Sequence, residues 1–249
     1  MTDRRTQNTS PIPILVYHQI DRAPGKGTPF RSLYVAPESF DRQMKWLARL
    51  GYTGLSMSAL MPYLRGEKTG KVVGVTFDDG YQNNLIHALP VLLRHGFSST
   101  CYAVSGLLGK TNLWDEKIGV AQAPLMTGDE LRQWVAGGQE VGSHTHQHRN
   151  LSSSDDSESQ ADIVQGRVIL QQVTGQPAAH FCYPYGHYDD RHVHMADLAG
   201  FETATTTARS RCLAGIDMLQ LPRVPVMRST TLALFWLKIA TAYEDRHSR

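Results

Sequence analysis

The sequence has few cysteines, little net charge and no long apolar run, and each shortage argues against a class of protein. Three cysteines among 249 residues, with no CxxC pair, argue against a disulfide-stapled scaffold or a cysteine-rich metal site. Cys101 and Cys182 lie within apolar, strand-like runs, so we expect buried free thiols. A net charge of +2 favours neither a nucleic-acid partner nor a membrane surface.

No apolar stretch reaches the roughly 18 residues of a membrane span. The first ten residues are polar, and the apolar residues 12–17 are too few for the core of a signal peptide. We therefore predict a cytoplasmic protein without a membrane span; an exported form whose leader is missing is the alternative. Residues 1–10 predict a disordered lead-in, and residues 11–249 predict a single catalytic domain, because no repeat or composition break divides them.

Strand-like and helix-like segments alternate along the chain. The apolar spacing over residues 37–50 predicts a helix that ends at Gly51. A second helix is predicted after Thr127, which forms a capping-box pattern with Glu130. The alternation occurs seven or eight times, which predicts an α/β protein with a mostly parallel sheet. At this length we expect the sheet to form a closed or nearly closed β/α barrel.

The most informative stretch is the apolar, β-branched run at residues 72–77, which stops at Asp78, Asp79 and Gly80. Such a run is typical of a strand buried on both faces, as in parallel sheets. In α/β folds, ligands and catalytic groups collect where such strands end. This motif alone leaves open an ordinary Asp-Gly turn.

A second polar stretch holds three histidines within five residues. His144 and His148 are four residues apart, a spacing that places two imidazoles on one face of a helical turn. With one carboxylate from another strand end, they would complete the three-ligand site of a catalytic zinc. An exposed histidine-rich loop is the alternative. His146 is expected to point elsewhere, and His192 to face solvent from a helix.

Asp78 and Asp79 are the candidate carboxylates. Neighbouring side chains on an extended segment point to opposite sides. One acid is therefore expected to bind the metal while the other faces the reacting water, and the spacing does not decide which does which.

Residues 76–80 (Thr-Phe-Asp-Asp-Gly) and residues 144–148 (His-Thr-x-x-His) resemble the first two motifs of the NodB-type polysaccharide deacetylases, carbohydrate esterase family 4. Residues 181–186 (Phe-x-Tyr-Pro-Tyr-Gly) and the Tyr17-His18 pair also agree with this family. The motif order is similar to that of the permuted poly-N-acetylglucosamine deacetylase type. The resemblance covers roughly residues 12–228.

The resemblance implies a distorted (β/α) barrel with about seven parallel strands. It also implies a metal-dependent hydrolase that removes N-acetyl groups from an amino sugar or polysaccharide and releases acetate. Asp79, His144 and His148 would bind the metal, Zn²⁺ or alternatively Co²⁺ or Ni²⁺. Asp78 would act as the general base when water attacks the amide carbonyl.

The chain departs from the family pattern in two places. Where many members carry Arg-Pro, it has Tyr183-Pro184, and Arg223 is a candidate for the missing cation; a structural arginine is the alternative. The usual C-terminal Leu-x-His is absent, so His18 becomes the candidate general acid, against a histidine of the core. The backbone N–H of Tyr185 is expected to hold the oxyanion, in a bend fixed by Pro184.

Two other functions fit parts of this pattern. Two histidines and one carboxylate also form the metal site of non-haem iron oxygenases. A non-catalytic barrel that binds metal and carbohydrate is the second alternative. The expected partner is an N-acetylated glycan, and the sequence leaves open which sugar it is and whether the protein forms oligomers.

Overall fold

The structure is a computed structural model that describes residues 10–213 and 215–245. The predicted lead-in at residues 1–10 lies outside the described residues, except for Ser10. The described strands are β1 (Ile14–Tyr17), β2 (Gln19–Ile20), β3 (Tyr34–Val35), β4 (Thr53–Leu55), β5 (Val72–Phe77), β6 (Thr100–Ala103), β7 (Glu140–Ser143), β8 (His180–Cys182), β9 (Thr203–Arg209) and β10 (Leu221–Pro225).

The described α-helices alternate with these strands. They are α1 (Pro37–Arg49), α2 (Met57–Leu64), α3 (Leu89–His95), α4 (Gly128–Ala136), α5 (Asp156–Thr174), α6 (Asp190–Leu198) and α7 (Leu232–Ala240). The predicted capping box of Thr127 and Glu130 is present at the start of α4. Across the described ranges, no helix combines the length and apolar character needed to cross a membrane.

Seven parallel strands form a closed barrel in the order β1-β10-β9-β8-β7-β6-β5, and pairing between β1 and β5 closes it. In that closing pair, Ile14 lies opposite Gly74 and Tyr17 lies opposite Phe77. β4 pairs with the first half of β5, and β2 and β3 form a separate parallel pair. The prediction of a (β/α) barrel with about seven parallel strands is confirmed.

The central strand β5 is buried along its whole length. A Cβ atom at Gly74 would lie 2.9 Å from Leu60, so glycine allows the covering helix to approach the strand. At its other end, the Phe77 ring packs 5.7 Å from Tyr17 and 5.7 Å from Trp134. This aromatic cluster supports the strand end from which the two aspartates project. The predicted burial of free cysteines is also confirmed.

Residues 83–95, a helical pattern interrupted by Pro90, form two segments. A π-helical turn covers Asn84–Ala88, and α3 follows with Pro90 in its first turn. Proline lacks an N–H and its ring crowds the carbonyl four residues earlier, so a regular α-helix cannot continue through it. At this point the helix widens instead, so that each turn holds about one residue more than in an α-helix.

A polar network joins α2 to the strands at the opposite end of the barrel from the aspartates. The Glu140 carboxylate accepts hydrogen bonds from Ser58 and Thr100, and lies 3.5 Å from Nε2 of His180. Burial opposes ionisation of Glu140, but these partners outweigh it and lower its pKa to about 2. The network therefore stabilises the fold only while Glu140 is charged.

Glu140→Gln tests this network. Because the folded-state pKa of Glu140 lies below its unfolded value, its stabilisation is present above about pH 4.5 and is lost as the pH falls towards 2. We expect Glu140→Gln to lower the free energy of unfolding by on the order of 2 kcal/mol at pH 7. The difference from wild type should shrink between pH 5 and pH 3 in urea titrations. A difference that stays constant over that range would contradict the assignment, and exposed Glu158→Gln is the control.

Candidate metal centre and active site

Three buried side chains converge at the carboxyl ends of β5 and β7. Oδ1 of Asp79 lies 3.5 Å from Nε2 of His144 and 3.3 Å from Nε2 of His148. Nδ1 of His144 bonds to the carbonyl oxygen of Cys182 at 2.7 Å, which directs its Nε2 towards Asp79. The Trp114 ring stacks on His148 with centroids 4.3 Å apart and covers the cluster from the solvent side.

The donor set and its spacing fit a divalent transition metal. Metal–ligand bonds of about 2.0–2.1 Å in a tetrahedral site separate the ligand atoms by about 3.3 Å. The two Asp79–histidine distances of 3.5 and 3.3 Å match that separation. Asp78, His144 and Cys182 also lie close enough to form a ligand group, but both Asp78 oxygens bind an arginine. The Asp79 group is therefore the better metal site.

Unusual backbone conformations shape this centre. Among the residues that the structure describes, five non-glycine residues have positive φ, and they are Phe30, Asp79, Thr145, His148 and Tyr185. Four of the five line the cavity at the site, and the fifth, Thr145, accepts a hydrogen bond from the His148 N–H through its hydroxyl at 3.0 Å. Such conformations cost about 1–3 kcal/mol each and collect at functional sites.

Two predictions from the sequence about the geometry of this site are wrong. His144 and His148 do not lie on a helical turn, because Thr145 (φ 65°) and His148 (φ 55°) are left-handed and the segment is a loop. The loop still brings the two rings within 4.8 Å. Asp79 (φ 73°) is not on an extended segment either. The two aspartates diverge because of this left-handed turn rather than because of strand alternation.

Asp78 forms a buried, bidentate ion pair with Arg223. Both Asp78 oxygens accept hydrogen bonds of 2.7 Å from the guanidinium. Arg223 is 2% exposed, and it also donates to the Thr206 carbonyl at 3.0 Å and to the Thr76 hydroxyl at 3.2 Å. Burial opposes the charge of Asp78, but the neighbouring guanidinium outweighs it and lowers the pKa of the carboxyl. Asp78 is therefore ionised at neutral pH.

His18 also approaches Asp78, with Nε2 3.9 Å from Oδ2. Two asparagines at the start of the π-helical turn hold the chain around it. Asn84 donates from its amide to the His18 carbonyl at 2.9 Å, and Asn83 donates to the Gln19 side chain at 3.0 Å. Neither asparagine was singled out from the sequence, because their contacts span more than 60 residues.

The aspartates, His18 and the two histidine ligands line one cavity of about 110 Å³. Tyr183 and Tyr185 form part of its wall. Tyr183 is 1% exposed and stacks on Tyr188 at 4.3 Å, whereas Tyr185 is 40% exposed. Pro184 begins the short 3₁₀ turn Pro184–Gly186 that places Tyr185 at the cavity. The structure thus brings every candidate site residue to this place except Pro184, which supports it, and Arg223, which lies behind Asp78.

Some site residues were not found from the sequence. Asp115 lines the cavity, and burial together with the charge of Asp79 raises its pKa to about 6. The only signal for it was the length of the loop at residues 105–126.

His192, expected at the surface, is fully buried, and its Nδ1 accepts a hydrogen bond from the Asp189 N–H at the start of α6. His146 points away as expected, and its Nδ1 bonds to the Ser105 hydroxyl at 2.8 Å.

Arg223→Met tests the electrostatic role of the buried pair. The variant leaves the Asp78 carboxylate buried without its cation, which should cost about 3–5 kcal/mol of unfolding free energy at pH 7. Arg65→Met is the control, since the Arg65–Glu202 pair is half exposed and 3.8 Å apart, and should cost less than about 1 kcal/mol. Urea titration of the two variants measures both values. Equal losses of unfolding free energy in the two variants would show that the buried Asp78–Arg223 pair contributes no more to stability than the half-exposed Arg65–Glu202 pair.

Comparisons with known proteins identify relatives of this chain. A family model described as polysaccharide deacetylase matches residues 65–204. YxkH of Bacillus subtilis (strain 168) is 26% identical over 224 residues, covering 89% of this chain and 74% of that protein. The poly-beta-1,6-N-acetyl-D-glucosamine N-deacetylase of Staphylococcus aureus (strain MRSA252) is 22% identical over 200 residues, covering 76% of this chain and 67% of that protein.

Solved structures share the barrel. The chain is similar to BC0361, a polysaccharide deacetylase from Bacillus cereus, with a TM-score of 0.78 and 28% identity over 92% of this chain and 69% of that one. It is also similar in fold to the Streptococcus pyogenes deacetylase PplD in complex with acetate, with a TM-score of 0.81 and 23% identity over 93% and 99% of the two chains. The family match spans more than half of the sequence and includes both aspartates and both histidine ligands, and the chain therefore belongs to the polysaccharide deacetylase family.

Proposed function

We propose that this protein is a metal-dependent hydrolase that removes the acetyl group from an N-acetylated amino sugar within a glycan and releases acetate. The proposal rests mainly on one observation: the two adjacent acids have different partners. Asp79 faces two imidazole nitrogens, whereas Asp78 faces a guanidinium and a third histidine. One acid is thereby suited to hold a metal and the other to move a proton.

Asp79, His144 and His148 would hold the cation, Zn²⁺ or alternatively Co²⁺ or Ni²⁺. A divalent cation bound there supplies Lewis-acid activation of water and of the amide carbonyl. With these three side chains as its protein ligands, such a cation would remain accessible to water and to the substrate carbonyl. Trp114, stacked on His148, limits the access of bulk solvent to the same corner of the cavity.

Asp78 acts as the general base. It is charged before substrate arrives, because Arg223 lowers its pKa, and both of its oxygens are fixed in direction by the bidentate contact. It accepts the proton of the attacking water, a contribution that is typically worth about 10²–10⁴ in rate. Arg223 does not touch the substrate and acts by positioning Asp78.

His18 acts as the general acid. Its Nε2 lies 3.9 Å from Oδ2 of Asp78, and its side chain is a quarter exposed at the cavity. It donates a proton to the amine that leaves with the sugar. The backbone N–H of Tyr185, in the bend that begins at Pro184, stabilises the oxyanion, and loss of such a donor costs about 10²–10³ in rate.

The substrate class follows from the walls of the cavity. Tyr185 offers a partly exposed aromatic face, and Asp115 offers a carboxyl group to sugar hydroxyls. A relative named for deacetylation of poly-β-1,6-N-acetylglucosamine makes that polymer, or short oligomers of N-acetylglucosamine, the first substrates to examine. Hydrolysis breaks one linear amide C–N bond per sugar.

Acetate release from N-acetylglucosamine oligomers tests the assignment of the two acids. Asp78→Asn should keep its metal and lose about 10²–10⁴ in turnover, whereas Asp79→Asn and His144→Ala should lose metal as well. Metal content by elemental analysis and acetate by a coupled assay give both readouts, with and without a chelator. If Asp78→Asn retains most of its activity, the base is elsewhere. If the protein binds metal and glycan but releases no acetate, it is a non-catalytic binding barrel. If the purified protein contains iron and its activity depends on oxygen, it is an oxygenase.

The leaving group tests His18. An amine leaves an acylated carbon only with a proton, whereas an aryloxide leaves without one. His18→Ala should therefore lose at least about 10² in rate on the N-acetylated sugar, but retain most of its rate on an aryl acetate. Asp78→Asn is the matched comparison and should lose both activities. Equal losses on the two substrates in His18→Ala would exclude a general-acid role.

A further inference from the structure

The loop between the two histidine ligands is held in a conformation that its own residues do not favour. Thr145 and His148 have φ values of 65° and 55°, in the left-handed region. A β-branched threonine is among the residues least suited to that region. The conformation persists only if the surroundings over-determine it, so the contacts of this loop matter for the proposed metal site.

One residue of α5, Asp162, supplies much of this restraint. Its backbone carbonyl accepts the His146 N–H at 3.1 Å, and its Oδ1 accepts the Gln147 N–H at 2.8 Å. The next N–H, that of His148, donates to the Thr145 hydroxyl at 3.0 Å. Three of the four backbone N–H groups at residues 145–148, those of His146, Gln147 and His148, are thus bonded, two of them to Asp162.

The loop is also enclosed on both sides by glycines. A Cβ atom on Gly166, one turn after Asp162 on α5, would lie 2.8 Å from the backbone carbon of Thr145. On the opposite side, Gly106 donates its N–H to the His146 carbonyl at 2.8 Å, and a Cβ atom there would lie 2.6 Å from that oxygen. Helix α5 therefore approaches the loop at backbone distance at Gly166, one turn after Asp162.

The Asp162 carboxylate has little other use in the described structure. It is 4% exposed, and its Oδ2 is buried without a hydrogen-bond partner among the described residues. A buried carboxylate that is only half satisfied is costly. The placement of this buried carboxyl group is therefore best explained by the loop that it holds.

We propose that Asp162 is a positioning residue that presets the loop at residues 144–148, so that His144 and His148 meet Asp79 at ligand spacing before metal binds. Without Asp162 the loop relaxes, and the cation must restore the left-handed conformation from its own binding free energy. Asp162 thereby sets metal affinity rather than the chemical step. This inference rests on the proposed metal site.

The test is Zn²⁺ affinity of the metal-free full-length protein, measured by competition with a chromophoric chelator. Asp162→Ala should bind Zn²⁺ about 10- to 100-fold more weakly, as is typical when a group that orients ligands is removed. Asp162→Asn keeps an oxygen acceptor for the Gln147 N–H and should stay within about threefold of wild type. Gln165→Ala, exposed on the same helix, is the control and should not change the affinity.

A purely structural role would lower the melting temperature of Asp162→Ala and leave its Zn²⁺ affinity unchanged, and that result overturns the proposal. Should Asp162→Ala fail to fold, Gly166→Ala decides, because its added methyl group presses on the Thr145 backbone and should weaken Zn²⁺ binding similarly. Unchanged Zn²⁺ affinity of Gly166→Ala would overturn the proposal. Wild-type protein that binds no Zn²⁺ would overturn the proposed metal site itself, whereas tight wild-type binding with unaffected variants overturns only the role of Asp162.

Discussion

Two neighbouring carboxylates are buried side by side at the end of one strand, and the site is arranged so that both stay charged. Like charges this close raise one another's pKa unless each has a cationic or donor partner of its own. Asp78 receives the Arg223 guanidinium and Asp79 receives two imidazoles, and the pKa of each carboxyl is lowered despite burial. The separate partners make the two acids chemically different, which suits them to the separate functions proposed for them.

The barrel brings these partners together from distant parts of the chain. Closure between β1 and β5 places His18 beside Asp78, although about 60 residues separate them. Pairing of β10 with β1 brings Arg223 to the same carboxylate, across 145 residues. Because the first and last strands are neighbours, a residue near either end of the sequence can reach the Asp78 carboxylate. The arginine and the candidate general acid thus need not occupy the positions they hold in most of the family.

Local sequence patterns were sufficient for some features and not for others. Two local signals are the apolar run at residues 72–77 and the four-residue spacing of His144 and His148. The alternation of strands and helices over this length predicts the barrel. The left-handed turns at Asp79 and His148 could not be predicted, because non-glycine residues adopt them only under tertiary restraint. His192 was misplaced because its helix-capping contact depends on Asp189, which propensity does not register. Asp115 and Asp162 have no motif, and their importance comes from what packs against them.

The widened turn before α3 restricts how the chain length can vary. Asn83 and Asn84 stand at the start of the π-helical turn Asn84–Ala88 and contact the Gln19 side chain and the His18 carbonyl. Removing one residue there would restore an ordinary α-helix ahead of Pro90, but would also rotate both amides by about 100° around its axis. The connection at residues 105–126, by contrast, contains the 3₁₀ segments Ser105–Leu107 and Leu113–Ile118 joined by irregular backbone, and long connections of this kind tolerate insertions. Related chains should therefore differ in length at that loop and keep the same number of residues between the paired aspartates and the proline.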